Sequence, residues 1–180
     1  MNSCIVKAPR YELETVNLNA FDLLYIAVFA ERQHNVKVAT CAASKKHDRN
    51  KSEYELHYIG AMGEYAVSKY FGVPMDTSVH VGGDNGIDLI INEWECHVKT
   101  FTFGGKNIEF YIDDMDAFTS DIGIFTQVVS PTRIRIRGCI SRRMFETKCT
   151  TKDYGYGDRL MVLPHDLSTV DRLTELRLVS

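Results

Sequence analysis

No stretch of this chain is both long and apolar enough to cross a bilayer. The most apolar segment, Ala20 to Ala30, contains Asp22 and runs directly into Glu31, short of the roughly 20 apolar residues that a spanning helix needs. The five cysteines (Cys4, Cys41, Cys96, Cys139 and Cys149) include no CxxC pair, which argues against a zinc site. Their odd number and irregular spacing also exclude a disulfide framework, so reduced thiols in a cytoplasmic protein are expected. Charge of one sign is not in surplus. Lys and Arg number 21 against 24 Asp and Glu, a formal net charge of -3, which excludes a polybasic coat but leaves room for a local basic cleft. The first residues, Met-Asn-Ser-Cys-Ile-Val-Lys, lack the apolar core of a signal peptide, and the chain is expected to remain inside the cell that makes it.

What is present fits one soluble globular domain: 180 residues, 44% hydrophobic and 25% charged. Asn19 to Gln33 has helical periodicity, with Phe21, Leu24, Tyr25, Val28 and Phe29 on one stripe expected to face the core. The polar run from Ser44 to Lys51 reads as a connection. A second helix is expected over Ser52 to Phe71, with Ser52 as N-cap, acidic residues in its first turn, and Gly72 and Pro74 closing it. The period then changes. Strands are expected at Ile87–Ile91, Trp94–Phe101, Asn107–Ile112, Asp121–Val129, Arg133–Ile140 and Leu160–Leu163. A short helix should follow Ser141, and a weak one should run from Leu167 to Leu176. This order gives an α/β (α+β) domain, with a central mixed, mainly antiparallel sheet flanked by helices. Residues 1–50 form a helical extension and linker, and residues 51–180 carry the main domain.

The segment from Gly82 to Thr100 carries the chemistry. If Asn92-Glu93 is a two-residue hairpin loop, Ile91 pairs with Trp94, Ile90 with Glu95, Leu89 with Cys96 and Asp88 with His97. Direct cross-strand partners have Cβ atoms about 5 Å apart, and Lys99 falls diagonally from Asp88 at about 7–8 Å. A carboxylate, an imidazole and an ammonium thus converge on one patch of sheet. A solvated cross-strand salt-bridge patch would use the same residues, but metal-assisted phosphodiester cleavage explains their types and order better. A divalent ion needs hard oxygen ligands and activates a water, and a lysine stabilises the charge that develops. Glycines before Asp88 would let backbone approach a phosphate closely.

The Gly82-Gly83-Asp84-Asn85-Gly86-Ile87-Asp88 run, the short hairpin and the His97-x-Lys99 ending resemble the PD-(D/E)xK nuclease superfamily, in particular its restriction-endonuclease branch. Gly63-Glu64-Tyr65-Ala66 matches the acidic position on that fold's preceding helix. The stretch from Asp121 to Ser141 is similar to small phage-encoded nuclease-like proteins. The resemblance spans roughly Ser52 to Pro164 and implies a restriction-endonuclease-like core. By the same resemblance, Asp88 is the principal metal ligand, the main-chain carbonyl of Val98 a second, Lys99 the catalytic lysine, and Glu64 an added ligand or water-orienting base. The departure is His97, where the family usually has an acidic residue. Imidazole suits manganese better than magnesium, so the cofactor expected is Mg2+ or Mn2+, with manganese favoured.

Arg133, Arg135 and Arg137 alternate with Ile134 and Ile136. A solvated outer strand face is the favoured reading of this pattern, with a phosphate-contacting comb for nucleic acid as the alternative. Lys45, Lys46, Arg49 and Lys51 fit a charged linker, the Tyr154-Gly155-Tyr156-Gly157 run a turn, and His57 and His80 have no ligand spacing. The expectation is a metal-dependent nuclease acting on DNA, with RNA and a homodimer left open, no membrane partner, and a bacterial, phage-linked cytoplasm as its setting. Two alternatives stand beside it. One is a nuclease-fold protein that has lost cleavage and binds nucleic acid or protein; the other is a small inhibitor working by interface alone.

Overall fold

A computed structural model describes residues 13–40, 51–78, 86–102, 110–112, 115–116, 118–153, 155 and 157–175. The chain opens with a short edge strand, β1 (Thr15–Asn17), followed by α1 (Ala20–Ala39) and α2 (Glu53–Phe71). Both helices start in capping boxes. Asn19 and Asp22 exchange side-chain and main-chain bonds, as do Ser52 and Glu55, which satisfies N–H groups that have no partner within the helix. Gly72, at φ +67°, ends α2 in the left-handed conformation that glycine adopts without penalty.

Four further strands build the main sheet with β1: the equally short β2 (Leu89–Ile91) and the longer β3 (Trp94–Phe101), β5 (Ile122–Ser130) and β6 (Arg133–Ser141). Its order is β1-β6-β5-β3-β2. Every neighbouring pair is antiparallel except β3 with β5, so the sheet is mixed and mainly antiparallel, as expected. A second, three-stranded sheet runs β4-β8-β7, from β4 (Phe110–Ile112), β7 (Thr150–Asp153) and β8 (Asp158–Val162). The helix α3 (Arg142–Lys148), capped by Ser141, lies between β6 and β7.

The main sheet has two unlike faces. Cys96, Val98, Ile122, Ile124, Ile134 and Ile136 pack into one aliphatic core with Ala61, Met62, Ala66 and Val67 of α2. Phe125 and Ile140 point the other way, into a cluster with Ile112, Phe118, Phe145 and Val162. The second face is therefore closed partly by α3 and the small sheet, and not by helices alone. α2 crosses the first face closely at Gly63, where a Cβ would collide with the hydroxyls of Thr100 and Thr126.

Three expectations change. α1 turns inward with Asp22, Ile26, Phe29 and Ala30, whereas Phe21, Leu24, Tyr25 and Val28 are exposed. The reason is a polar anchor: buried Asp22 accepts from Tyr65 Oη at 2.7 Å and from Lys69 Nζ at 2.6 Å, and an unpaired buried carboxylate is costly. Near the C-terminus, Leu167 to Glu175 is not one helix. A 3-10 turn (Pro164–Asp166) leads to Ser168, which bridges Cys139 on β6, before the short α4 (Arg172–Glu175). Finally, β7 was not expected, because Thr-Thr-Lys-Asp is exposed throughout and has no apolar alternation. Residues 13–40 share the same layers, through β1 beside β6 and α1 beside α2. The linker residues 41–50, the glycines Gly82 and Gly83, His80, Tyr154 and Tyr156 lie outside the described residues.

Candidate active site

The hairpin forms in the register that its two-residue loop dictates. Leu89 pairs with Cys96, Ile90 with Glu95 and Ile91 with Trp94. Asn92 and Glu93 have φ of 48° and 74°, the left-handed pair of a type I′ turn, which matches the twist of the flanking strands. Asn92 Nδ2 also donates to the carbonyl of Leu173 at 3.0 Å, which holds the turn against α4.

Asp88 stands one residue before β2, where regular pairing stops. Its N–H donates to the Cys96 carbonyl at 2.9 Å, and its own carbonyl accepts from Asp76 N–H at 2.9 Å. Its carboxylate Oδ2 then takes the Val98 N–H at 2.6 Å. The side chain thus replaces a ladder partner and lies buried against the edge of β3. In an extended strand a residue's N–H and C=O point to the same side, so the Val98 carbonyl also faces the Asp88 edge.

Alternation sends Cys96 and Val98 into the helix-side core and His97 and Lys99 to the opposite face. Both are half-buried. Burial first, and then the neighbouring Lys99 ammonium, push the His97 imidazole down to about 3. At neutral pH it is an uncharged ring, able to donate or accept a hydrogen bond or to ligate a soft ion. Gly86 packs against it: a Cβ there, at φ +74°, would lie 3.9 Å from His97 Nδ1 and 2.5 Å from Thr119 Oγ1. Gly86 and Thr119 therefore belong to the site wall. The glycine was legible in the sequence as part of the Gly-Ile-Asp turn, whereas nothing in the spacing marked Thr119, which comes from the loop before β5.

Glu64 lies on α2, on the helix side of the sheet. Its Oε1 sits 3.7 Å from where a Gly60 Cβ would be, and the Gly60 carbonyl accepts from Thr100 Oγ1 at 3.5 Å. The carboxylate is thus near the far end of β3, across the strand from the face that carries Lys99. Glu95 is exposed, and its N–H donates to Asp121 Oδ2 at 3.1 Å. The Cys96 thiol beside the site is pushed up to about 12, chiefly by burial, and Cys139 likewise to about 11. Neither supplies a thiolate nucleophile.

Ile134 and Ile136 are buried, and Arg133, Arg135 and Arg137 share the opposite face, the one that carries His97 and Lys99. Arg133 is exposed and the other two are half-buried. Arg137 Nη1 donates to Gln127 Oε1 at 3.5 Å, while its buried Nε has no partner among the described residues. Buried Gln127 stands between β3 and the Arg135 row, so the comb and Lys99 share a face without being adjacent.

As a metal site the constellation is lean. Among the described residues, no group of three or more His, Cys, Asp or Glu side chains converges as a metal cage would. Asp88, the Val98 carbonyl and neutral His97 would together offer a mixed oxygen and nitrogen donor set. Such a set suits manganese better than magnesium, which favours six oxygens. No helix among the described residues is long and apolar enough to cross a membrane. No family model matches the chain, and no curated protein is significantly similar to it.

Proposed function

We propose that this chain is a divalent-metal-dependent nuclease, preferring manganese, that hydrolyses phosphodiester bonds of DNA on a restriction-endonuclease-like core. The observation that carries this reading is the mouth of the hairpin: the Asp88 carboxylate takes the Val98 N–H on β3, the residue between His97 and Lys99. A divalent ion would supply an activated water and neutralise phosphate charge. Asp88 and the Val98 carbonyl would hold the ion from one edge of β3. Lys99 is the cation for the negative charge that builds on the scissile phosphate. His97, held neutral, accepts or donates a hydrogen bond without adding charge, and Gly86, with no Cβ, packs closely against Thr119 and His97.

A second reading has its own support: a nuclease fold that binds nucleic acid without cutting it. One Asp88 oxygen is already occupied by Val98 N–H, and the described residues form no three-ligand cage. The two readings part in one experiment. Purified protein is incubated with plasmid, linear and single-stranded DNA and with RNA, in Mn2+ and separately in Mg2+. Cleavage is expected in Mn2+, with a loss of at least about 100-fold in Lys99→Ala and Asp88→Asn. Asp88→Asn keeps an oxygen for Val98 N–H, so its loss of activity is not mere unfolding. Binding without cleavage in either metal supports the second reading. Cleavage unchanged in both variants sinks the first. His97→Glu is expected to raise Mg2+-dependent cleavage by restoring a hard ligand.

A further inference from the structure

Three cations stand half-buried on the sheet face away from the helices: Lys99 on β3, and Arg135 and Arg137 on β6. The two arginines are two residues apart on one strand face, about 7 Å along the chain. Burial first, and then the Arg135 charge, push the Arg137 guanidinium below its ordinary value. Among the described residues none of the three cations has an ion-pair partner. Arg137 also lines a small cavity with Glu14 and Asp171, but neither carboxylate pairs with it, and Asp171 is taken by Tyr70 Oη at 2.7 Å. Arg137 Nη1 reaches Gln127 Oε1, while its Nε is buried without a partner among the described residues. A partly desolvated charge without a counterion is costly, and two side by side repel each other. Exposed Arg133 fits a solvated strand face; Arg135 and Arg137 do not.

The strand registers place an aromatic ring on the same face. Phe101 pairs with Gln127, and Gln127 with Arg135. Ring, amide and guanidinium thus form one row across three strands, about 10 Å from end to end at roughly 4.8 Å per strand. Phe101 lies two residues beyond Lys99 on β3, stacks on Phe125 with ring centroids 6.2 Å apart, and is only half-buried. Guanidinium forks match the oxygens of a phosphate, and an aromatic ring takes the face of a base. A duplex hides its base faces in its own stack, so only an unpaired strand offers phosphate and base face together. We propose that Arg135 and Arg137 grip one phosphate of a single DNA strand that crosses the sheet from Lys99 past Phe101 to β6. This deepens the nuclease reading, and rests on it for placing the scissile phosphate at Lys99. Single-stranded DNA is then the preferred substrate, and the formal net charge of -3 leaves little basic surface elsewhere to hold a duplex.

Fluorescence anisotropy of the full chain with an end-labelled DNA of about 20 nucleotides, single-stranded or annealed to its complement, tests this in EDTA. The single strand is expected to bind at least about tenfold tighter than the duplex. Arg135→Gln and Arg137→Gln should each weaken it about tenfold and lower the slope of log K against log salt by about one. Arg32→Gln, on the exposed surface of α1, removes the same charge and should change affinity less than about threefold. Should Arg137→Gln misfold by far-UV circular dichroism, Arg135→Gln gives the same readout independently. A duplex bound as tightly as the single strand overturns the proposal, and so does wild-type affinity in both variants, or no binding of either DNA below about 100 μM. Inorganic phosphate at about 10 mM, against chloride of equal ionic strength, is expected to leave the strand bound. Displacement by it would assign the arginine pair to free phosphate and overturn the proposal as well. No metal enters this assay, so its failure strikes the strand site alone, whereas failure to cleave in Mn2+ strikes the nuclease reading alone.

Discussion

The two faces of the main sheet are built from the same strands by different rules. On the helix side the strands present Cys96, Val98, Ile122, Ile124, Ile134 and Ile136, and small residues of α2 let the helix come close. On the other side they present His97, Lys99, Phe125, Gln127, Arg135 and Arg137, covered only in part by the aromatic cluster around Phe118 and Phe145. The first face is closed mainly by apolar packing, with Thr100 reaching the Gly60 carbonyl of α2. The second keeps polar groups half-buried, where their charge and hydrogen bonding can be tuned. One face thus closes the core while the other keeps polar side chains half-buried, and a single strand, β3, serves both.

The sharpest way to break this contrast is at the helix-side contact. Gly63→Ala puts a methyl group against the Thr100 and Thr126 hydroxyls and is expected to cost about 3 kcal/mol, read by urea unfolding. A change under about 1 kcal/mol would mean that the helix is not held close. Next is Asp88→Ala, which leaves the buried Val98 N–H without its acceptor and should cost about 2 kcal/mol, whereas Asp88→Asn should cost clearly less.

A third test concerns the polar face. His97 is held well below its ordinary value, at about 3 against 6.5. Between those two values the unfolded chain binds the proton and the folded chain does not. Stability contributed by neutral His97 is therefore complete above pH 6.5 and lost as pH falls toward 3. Its slope is at most about 1.4 kcal/mol per pH unit. His57, also lowered by burial, adds a slope of the same sign. Unfolding curves at pH 7.5 and pH 5 should show His97→Gln flattening the dependence; an unchanged slope would assign it to other groups. The smallest effect is at the turn. Glu93→Gly relieves a left-handed residue at φ 74° and is expected to stabilise the protein by about 1 kcal/mol.

The hairpin was legible in the sequence because strand periodicity and a two-residue loop leave one register that buries Leu89 and Ile91 together. The capped ends of α2 and α3 were legible for the same reason: Ser52 and Ser141 act within one turn of chain. What escaped depended on distant partners. The rotation of α1 is chosen by Tyr65 and Lys69, 43 and 47 residues beyond Asp22, and both sides of the helix are apolar enough to look like a core. The C-terminal helix was overestimated because Ser168 is drawn into a bridge with Cys139 beside the bulge at Gly138. At the site, Asp88, His97 and Lys99 were marked by residue type and spacing. The use of the Asp88 carboxylate as a stand-in for a strand partner was not, since that follows from where β2 stops.

The bond from Asn92 to the Leu173 carbonyl joins the tip of the hairpin to α4, 81 residues further along the chain. Leu173 is itself buried in the aliphatic core with Val170, so α4 acts as a latch on the loop between β2 and β3. Clipping the chain after Val170 should leave the sheet standing yet speed amide exchange at Asp88 and Val98. A protease that trims the tail would then loosen the site from a distance, without touching any residue in it.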